Sequence, residues 1–192
     1  MGFAINVIFL FVSFITLAIA SGFAASASSK VTGLSGYSTN NKLKSAHKYL
    51  TIAAVVGFIT VFFLLVGAGL SIFFAPEAAE AGAVTGASPK NYIVYGLLFL
   101  CLIAVFVVGI LAAIAATEIN ESGVQNNNLS YRNSIIAAVL SIVVSVLIII
   151  ALIIRVAYKP KKKIEPIDKD IAEMKMELGE EPTEVKHEVS NL

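Results

Sequence analysis

Residues 2–29, 50–75, 92–117 and 134–154 contain no Asp, Glu, Lys, Arg or His. Each run is as long as the roughly 20 residues needed to cross a hydrocarbon core of about 30 Å. A soluble fold has no use for four such runs, because its elements need a polar face turned to water. In lipid every backbone N–H and C=O must be bonded internally, which leaves helices or closed barrels. Barrel strands alternate over about ten residues, whereas these runs are longer and apolar all round. The predicted fold is therefore all-α, an integral membrane four-helix bundle with spans at about 2–29, 50–75, 92–117 and 134–157. Residues 1–158 form the transmembrane domain, and 159–192 form a polar tail.

The first run also resembles a signal-peptide core, with small residues in "TLAIASGFAA". No basic flank precedes it, so a retained helix is expected. The remaining composition excludes much chemistry. His47 and His187 are the only histidines and lie far apart, so no metal-ligand spacing exists. The single cysteine, Cys101, falls inside the third run. There is no glycine-rich phosphate loop, no nucleophile motif and no nucleic-acid-binding pattern. Pumps and proton-coupled carriers place ionisable groups within the membrane, and these runs have none. The expectation is a protein that is not an enzyme and carries no cofactor.

Two segments repeat. "SAHKYLTIAAVV" at 45–56 aligns with "LSYRNSIIAAVL" at 129–140, and "AASASSKV" at 24–31 aligns with "AAIAATEI" at 112–119. Either a two-helix unit is duplicated in tandem or alanine-rich helix ends coincide. A duplication of two spans relates its copies by a twofold along the membrane normal. In both copies a ring and a base precede the helix: His47, Lys48 and Tyr49 in the first, Tyr131 and Arg132 in the second. Rings favour the headgroup layer and long basic stems reach phosphates, so these residues read as interface anchors. Small residues recur at four-residue intervals, including Gly22 in the first span, Ala53 and Gly57 in the second, Gly109 and Ala113 in the third, and Ala137 and Ser141 in the fourth. That spacing permits close helix crossings.

Beyond the fourth span the composition changes. Lys159, Lys161, Lys162 and Lys163 form a basic cluster suited to headgroups. A short amphipathic helix follows at 167–178, with Ile167, Ile171, Met174 and Leu178 on one stripe. Three turns are marginal alone in water, and nine acids follow the cluster. A protein partner therefore suits that stripe better than anionic lipid. The third connection carries two glycosylation sequons, at Asn120 and Asn128.

"LAAIAATEINESG", the lead-in "SYRNSIIAA" and the lysine-rich tail resemble, in their ordering, four-span membrane proteins of large DNA virus particles. That resemblance implies a virion inner-membrane or minor capsid role, with the tail and loops reaching capsid proteins in a multi-subunit assembly. An accessory subunit of a respiratory or photosynthetic complex and a pore-forming or transport subunit remain the alternatives. Lysines and arginines divide seven to five in favour of the side bearing both termini, so the positive-inside rule places the termini on the cytoplasmic side.

Overall fold

The structure, a computed structural model, describes residues 2–73, 89–125 and 127–157. These form four helices: α1 (Gly2–Thr32), α2 (Asn41–Phe73), α3 (Pro89–Glu121) and α4 (Asn128–Ala157). Each contains a stretch long and apolar enough to span a bilayer. The chain divides after Pro160 into two units. The lysine cluster 159–163, the stripe Ile167, Ile171, Met174 and Leu178, and the helix expected at 167–178 lie outside the described residues.

α1 packs against α2 and α4, and α3 packs against the same two helices, whereas α1 and α3 barely meet. Neighbours run antiparallel, giving an up-down-up-down square bundle whose termini lie at one end. Sequence and structure differ at the starts of α2 and α4. Both begin well before the predicted spans, which places the anchors His47, Lys48 and Tyr49, and Tyr131 and Arg132, inside the helices rather than ahead of them. A cap explains the first case: Asn40 Oδ1 accepts from Lys42 N at 3.0 Å and from Leu43 N at 3.4 Å. The connections leading into α2 and α4 are consequently tight, and each turns on a glycine with positive φ, Gly36 at 81° and Gly123 at 67°.

Apolarity cannot choose which face turns inward, because lipid tails are as apolar as leucine. In the loop half, size chooses instead. The loop half of the core is lined by Ala24, Ala27, Ala53, Ala112, Ala115 and Ala137, while large residues such as Ile15, Phe62, Phe106 and Ile142 stand exposed. Leu10, Leu17, Leu64, Leu98, Val105 and Ile148 fill the terminal half. Van der Waals contact at short interhelical distance therefore holds the bundle.

Contact is closest at two mirrored points. A Cβ on Gly57 would overlap the Ser21 hydroxyl and sit 3.1 Å from Ser21 Cβ. A Cβ on Gly109 would sit 3.2 Å from Ser141 Cβ. Ser21 and Gly109 are 88 residues apart, and Gly57 and Ser141 are 84 apart, the offsets of the two sequence repeats. Each hairpin thus has one serine–glycine contact, with the partners exchanged between helices. Burial follows the same offsets. Every buried position of α3, from Val94 to Ile119, lies 88 beyond a buried position of α1. Likewise Ala46, Leu50, Ala53, Ala54, Gly57, Thr60, Leu64 and Gly67 are matched by buried positions 84 further on. The two hairpins are arranged as a twofold along the bundle axis requires.

Among the helix-packing residues read from the sequence, Ala53, Gly57, Ala137 and Ser141 are buried and Gly109 lies against Ser141. Gly22 and Ala113 are corrections. Both are exposed, and nothing lies within 4 Å of a Cβ on Gly22. In an alanine-rich helix several stripes satisfy the same spacing, and the inward one on α1 runs through Ala20, Ala24 and Ala27 instead.

Candidate functional site: polar rungs at the two ends of the bundle

Between its ends the bundle interior offers no charge among the described residues, and its hydroxyls are spent locally. Ser13 donates to Phe9 O, Ser21 to Leu17 O, Thr60 to Val56 O and Ser141 to Ala137 O, each at 2.7–2.8 Å. Such back-bonding satisfies a hydroxyl within its own helix. It commits the hydroxyl proton and leaves no donor to offer a passing substrate. A groove of about 250 Å³ between α2 and α3 is lined by Val56, Ile59, Thr60, Phe63, Leu97, Leu100, Cys101 and Ala104. Its Thr60 hydroxyl is already engaged, so it is a surface for hydrocarbon.

Interhelical polar contacts gather in two rungs. At the loop end Ser28, buried on α1, meets α2: its Oγ is 2.8 Å from His47 Nδ1 and 2.8 Å from Thr51 Oγ1. The His47 Nδ1 also lies 3.2 Å from Ser28 O, and Tyr37 meets its ring edge-on at 5.8 Å. On the adjoining seam Asn133 Nδ2 donates to Ser26 Oγ at 3.2 Å. Further out, Asn40 Nδ2 donates to Ser122 O, Asn127 Nδ2 donates to Ile119 O, and Lys42 pairs with Glu121 at 2.6 Å, tying the two connections together.

Of the sequence-predicted anchors, His47 is turned into this rung and Tyr49 packs against the alanine core. Lys48 and Arg132 are exposed within about a turn of it, and Tyr131 is partly exposed. The structure therefore brings the anchors of both hairpins to one level but gives His47 an interhelical role. The sequons stand nearby, Asn120 in the last turn of α3 and Asn128 opening α4, both exposed.

The second rung lies at the terminal end and was not singled out from the sequence. Arg155 on α4 donates from Nη1 to Ser71 Oγ on α2 at 2.8 Å, crossing the diagonal of the square. Its guanidinium lies over the Tyr95 ring, 5.4 Å from the centroid, and Tyr95 donates from its hydroxyl to Arg155 O at 3.4 Å. Asn6 on α1 occupies the same level. From the Ser26–Asn133 contact, twenty residues along each helix, about 30 Å, reach Asn6 and Ile153. The visible signal was a lone arginine in the final turn of an apolar run, with an isolated asparagine at the start of another.

From Asn6 to Ser28 is 22 residues of helix, or about 33 Å at 1.5 Å per residue. That is close to a hydrocarbon core of roughly 30 Å. Tyrosine obeys the same boundary: Tyr37, Tyr49 and Tyr131 stand at the loop end and Tyr92 and Tyr95 at the terminal end, with none described between them. Phenylalanine fills the intervening surface, as at Phe11, Phe58, Phe62 and Phe99. Tyrosine favours the headgroup layer because one end of its ring is polar.

A belt of exposed apolar side chains bounded by polar rungs and tyrosines defines an integral multi-pass membrane protein of four helices. Comparison with protein-family models, with curated proteins and with solved structures finds no match.

Proposed function

We propose that this protein is a structural membrane subunit, a four-helix anchor that ties a bilayer to a larger protein assembly through its tail and loops. The observation that carries this reading is the inert interior: between the rungs, the described hydroxyls bond to their own helices and no described charge is present. Transport that moves ions or protons needs groups in the membrane interior to bind them, and catalysis needs convergent groups of matched acidity. A scaffold needs only close packing, which the serine–glycine contacts provide.

The setting we favour is the inner membrane of a large DNA virus particle, as a minor capsid component. This rests on the ordering of "LAAIAATEINESG", "SYRNSIIAA" and the lysine-rich tail. In this proposal the termini face the cytoplasmic side, Lys159, Lys161, Lys162 and Lys163 meet headgroups, and Ile167, Ile171, Met174 and Leu178 grip a capsid protein.

Deleting residues 164–192 tests it. The shortened chain is expected to insert in membranes in normal amount yet fail to co-purify with its assembly. Normal incorporation would remove the tail from the proposal. Ion or solute flux through liposomes containing the pure protein would overturn the structural reading.

A further inference from the structure

At the terminal rung the two hairpins differ by more than a hydroxyl. Further in, the twofold pairs Leu10 with Leu98, Ala24 with Ala112, Ala53 with Ala137 and Leu64 with Ile148. Where it does exchange polar for apolar there, the polar member is a hydroxyl, as at Ser28 with Ala116, Leu50 with Ser134 and Thr60 with Val144. At this level Asn6 is paired with Val94 and Ser71 with Arg155. A carboxamide and a guanidinium have entered this end of the interior, on adjacent helices.

Asn6 is 2% exposed, and its Oδ1 is fully buried with no hydrogen-bond partner. Such an oxygen costs about 1–3 kcal/mol unless a donor reaches it. Ser71 cannot supply one, because its hydroxyl proton goes to Gly67 O at 2.8 Å while its oxygen accepts from Arg155. Register places Asn6 within about one helical turn of Arg155 along the bundle, and a guanidinium carries five N–H donors in a fixed plane. The group that fits must donate to a carbonyl oxygen and accept from a guanidinium or share the second lone pair of a serine hydroxyl. It must also be small enough for a packed helical interior. Water is the smallest group with the donors and acceptors this needs, and buried waters typically make about three hydrogen bonds to otherwise unsatisfied groups.

We infer that Asn6, Ser71 and Arg155 form a hydrated site, a shallow vestibule that admits water to the bundle interior from the terminal side and closes at Leu10. Leu10, Leu64, Leu98 and Ile148, all 0% exposed, form its dry floor. The inference uses the membrane reading but is independent of the assembly to which the protein belongs. Hydration at one end only makes the bundle functionally polar: the His47 rung is sealed by direct side-chain bonds, whereas this rung is completed by solvent.

The test uses the full chain in liposomes with Cys101→Ala as background. A charged, membrane-impermeant methanethiosulfonate is added to both sides, and modification rates are measured for Asn6→Cys, Leu10→Cys and Lys44→Cys. Thiolate attack requires water at the site. Asn6→Cys is expected to react more slowly than the exposed Lys44→Cys reference but measurably faster than Leu10→Cys. An Asn6→Cys rate no faster than that of Leu10→Cys would overturn the inference. A second pair reads the site without a thiol. In a hydrated site Asn6→Asp gains the Arg155 charge and melts no lower than the parent, while Asn6→Leu strands the water and melts lower. A dry site predicts the reverse order, and observing that order would also overturn it.

Discussion

Exchanging Ser21 and Gly57 tests the packing logic and the twofold together. Gly57→Ser alone drives a side chain into the Ser21 hydroxyl, which is held to Leu17 O at 2.8 Å. Relief means parting α1 from α2 or turning Ser21 off its acceptor, and overpacking of this kind costs about 1–3 kcal/mol. Ser21→Gly alone opens a void and places glycine in a helix interior, at about 1 kcal/mol. The double exchange reproduces the arrangement already present at Gly109 and Ser141, where the corresponding approach is 3.2 Å. It is therefore expected to restore stability to within about 1 kcal/mol of the parent, with a favourable coupling of about 1–3 kcal/mol. Equilibrium unfolding in mixed micelles or steric trapping in bicelles gives all four free energies of the cycle. Additive single changes, with the double variant the least stable of the set, would refute both the close contact and the equivalence of the hairpins.

Other substitutions separate direct bonds from incidental ones. Ser28→Ala removes the hydroxyl that links His47 and Thr51 and should cost about 1–2 kcal/mol by the same unfolding measurement. Asn40→Ala removes the α2 cap and its bond to Ser122 O and should cost about 1 kcal/mol. Lys42→Ala breaks only an exposed ion pair, so its melting temperature should match that of the parent even at low salt. Cys101, 2% exposed at the floor of a hydrocarbon groove, should resist a water-soluble maleimide in intact bilayers and react once the protein is unfolded in detergent.

The number and rough limits of the helices were legible because lipid permits only one local solution for a long uncharged run. The inward faces were less legible. Leu10 is buried and Phe11 is exposed, yet both are apolar and adjacent, and no solvent preference separates them. Spacing of small residues found Ala53–Gly57 and Ala137–Ser141 but misdirected Gly22 and Ala113, since an alanine-rich helix offers several stripes at the same interval. The internal repeat pairs positions without choosing a face: its matched alanines include the buried Ala24, Ala27, Ala112 and Ala115 and also the exposed Ala113. The terminal rung escaped notice because its members, Asn6, Ser71, Tyr95 and Arg155, come from four helices and share no local motif. Only antiparallel register brings them level. Helix extension beyond the spans had a readable cap at Asn40, but hydropathy weights water-exposed turns against a helix that continues through them.

The claim on which the account turns is that the two rungs mark the two faces of the hydrocarbon layer, about 33 Å apart. Spin labels placed singly at the outward positions Tyr131, Ile135, Ile142, Val146 and Ile153 of α4, in reconstituted bilayers, measure this directly through their relative accessibility to oxygen and to a polar nickel chelate. Oxygen accessibility should peak at Ile142 and Val146 and fall toward both Tyr131 and Ile153, with the nickel chelate showing the opposite profile. Nickel access at Ile142 equal to that at Tyr131 would place the middle of the bundle in water and contradict the account.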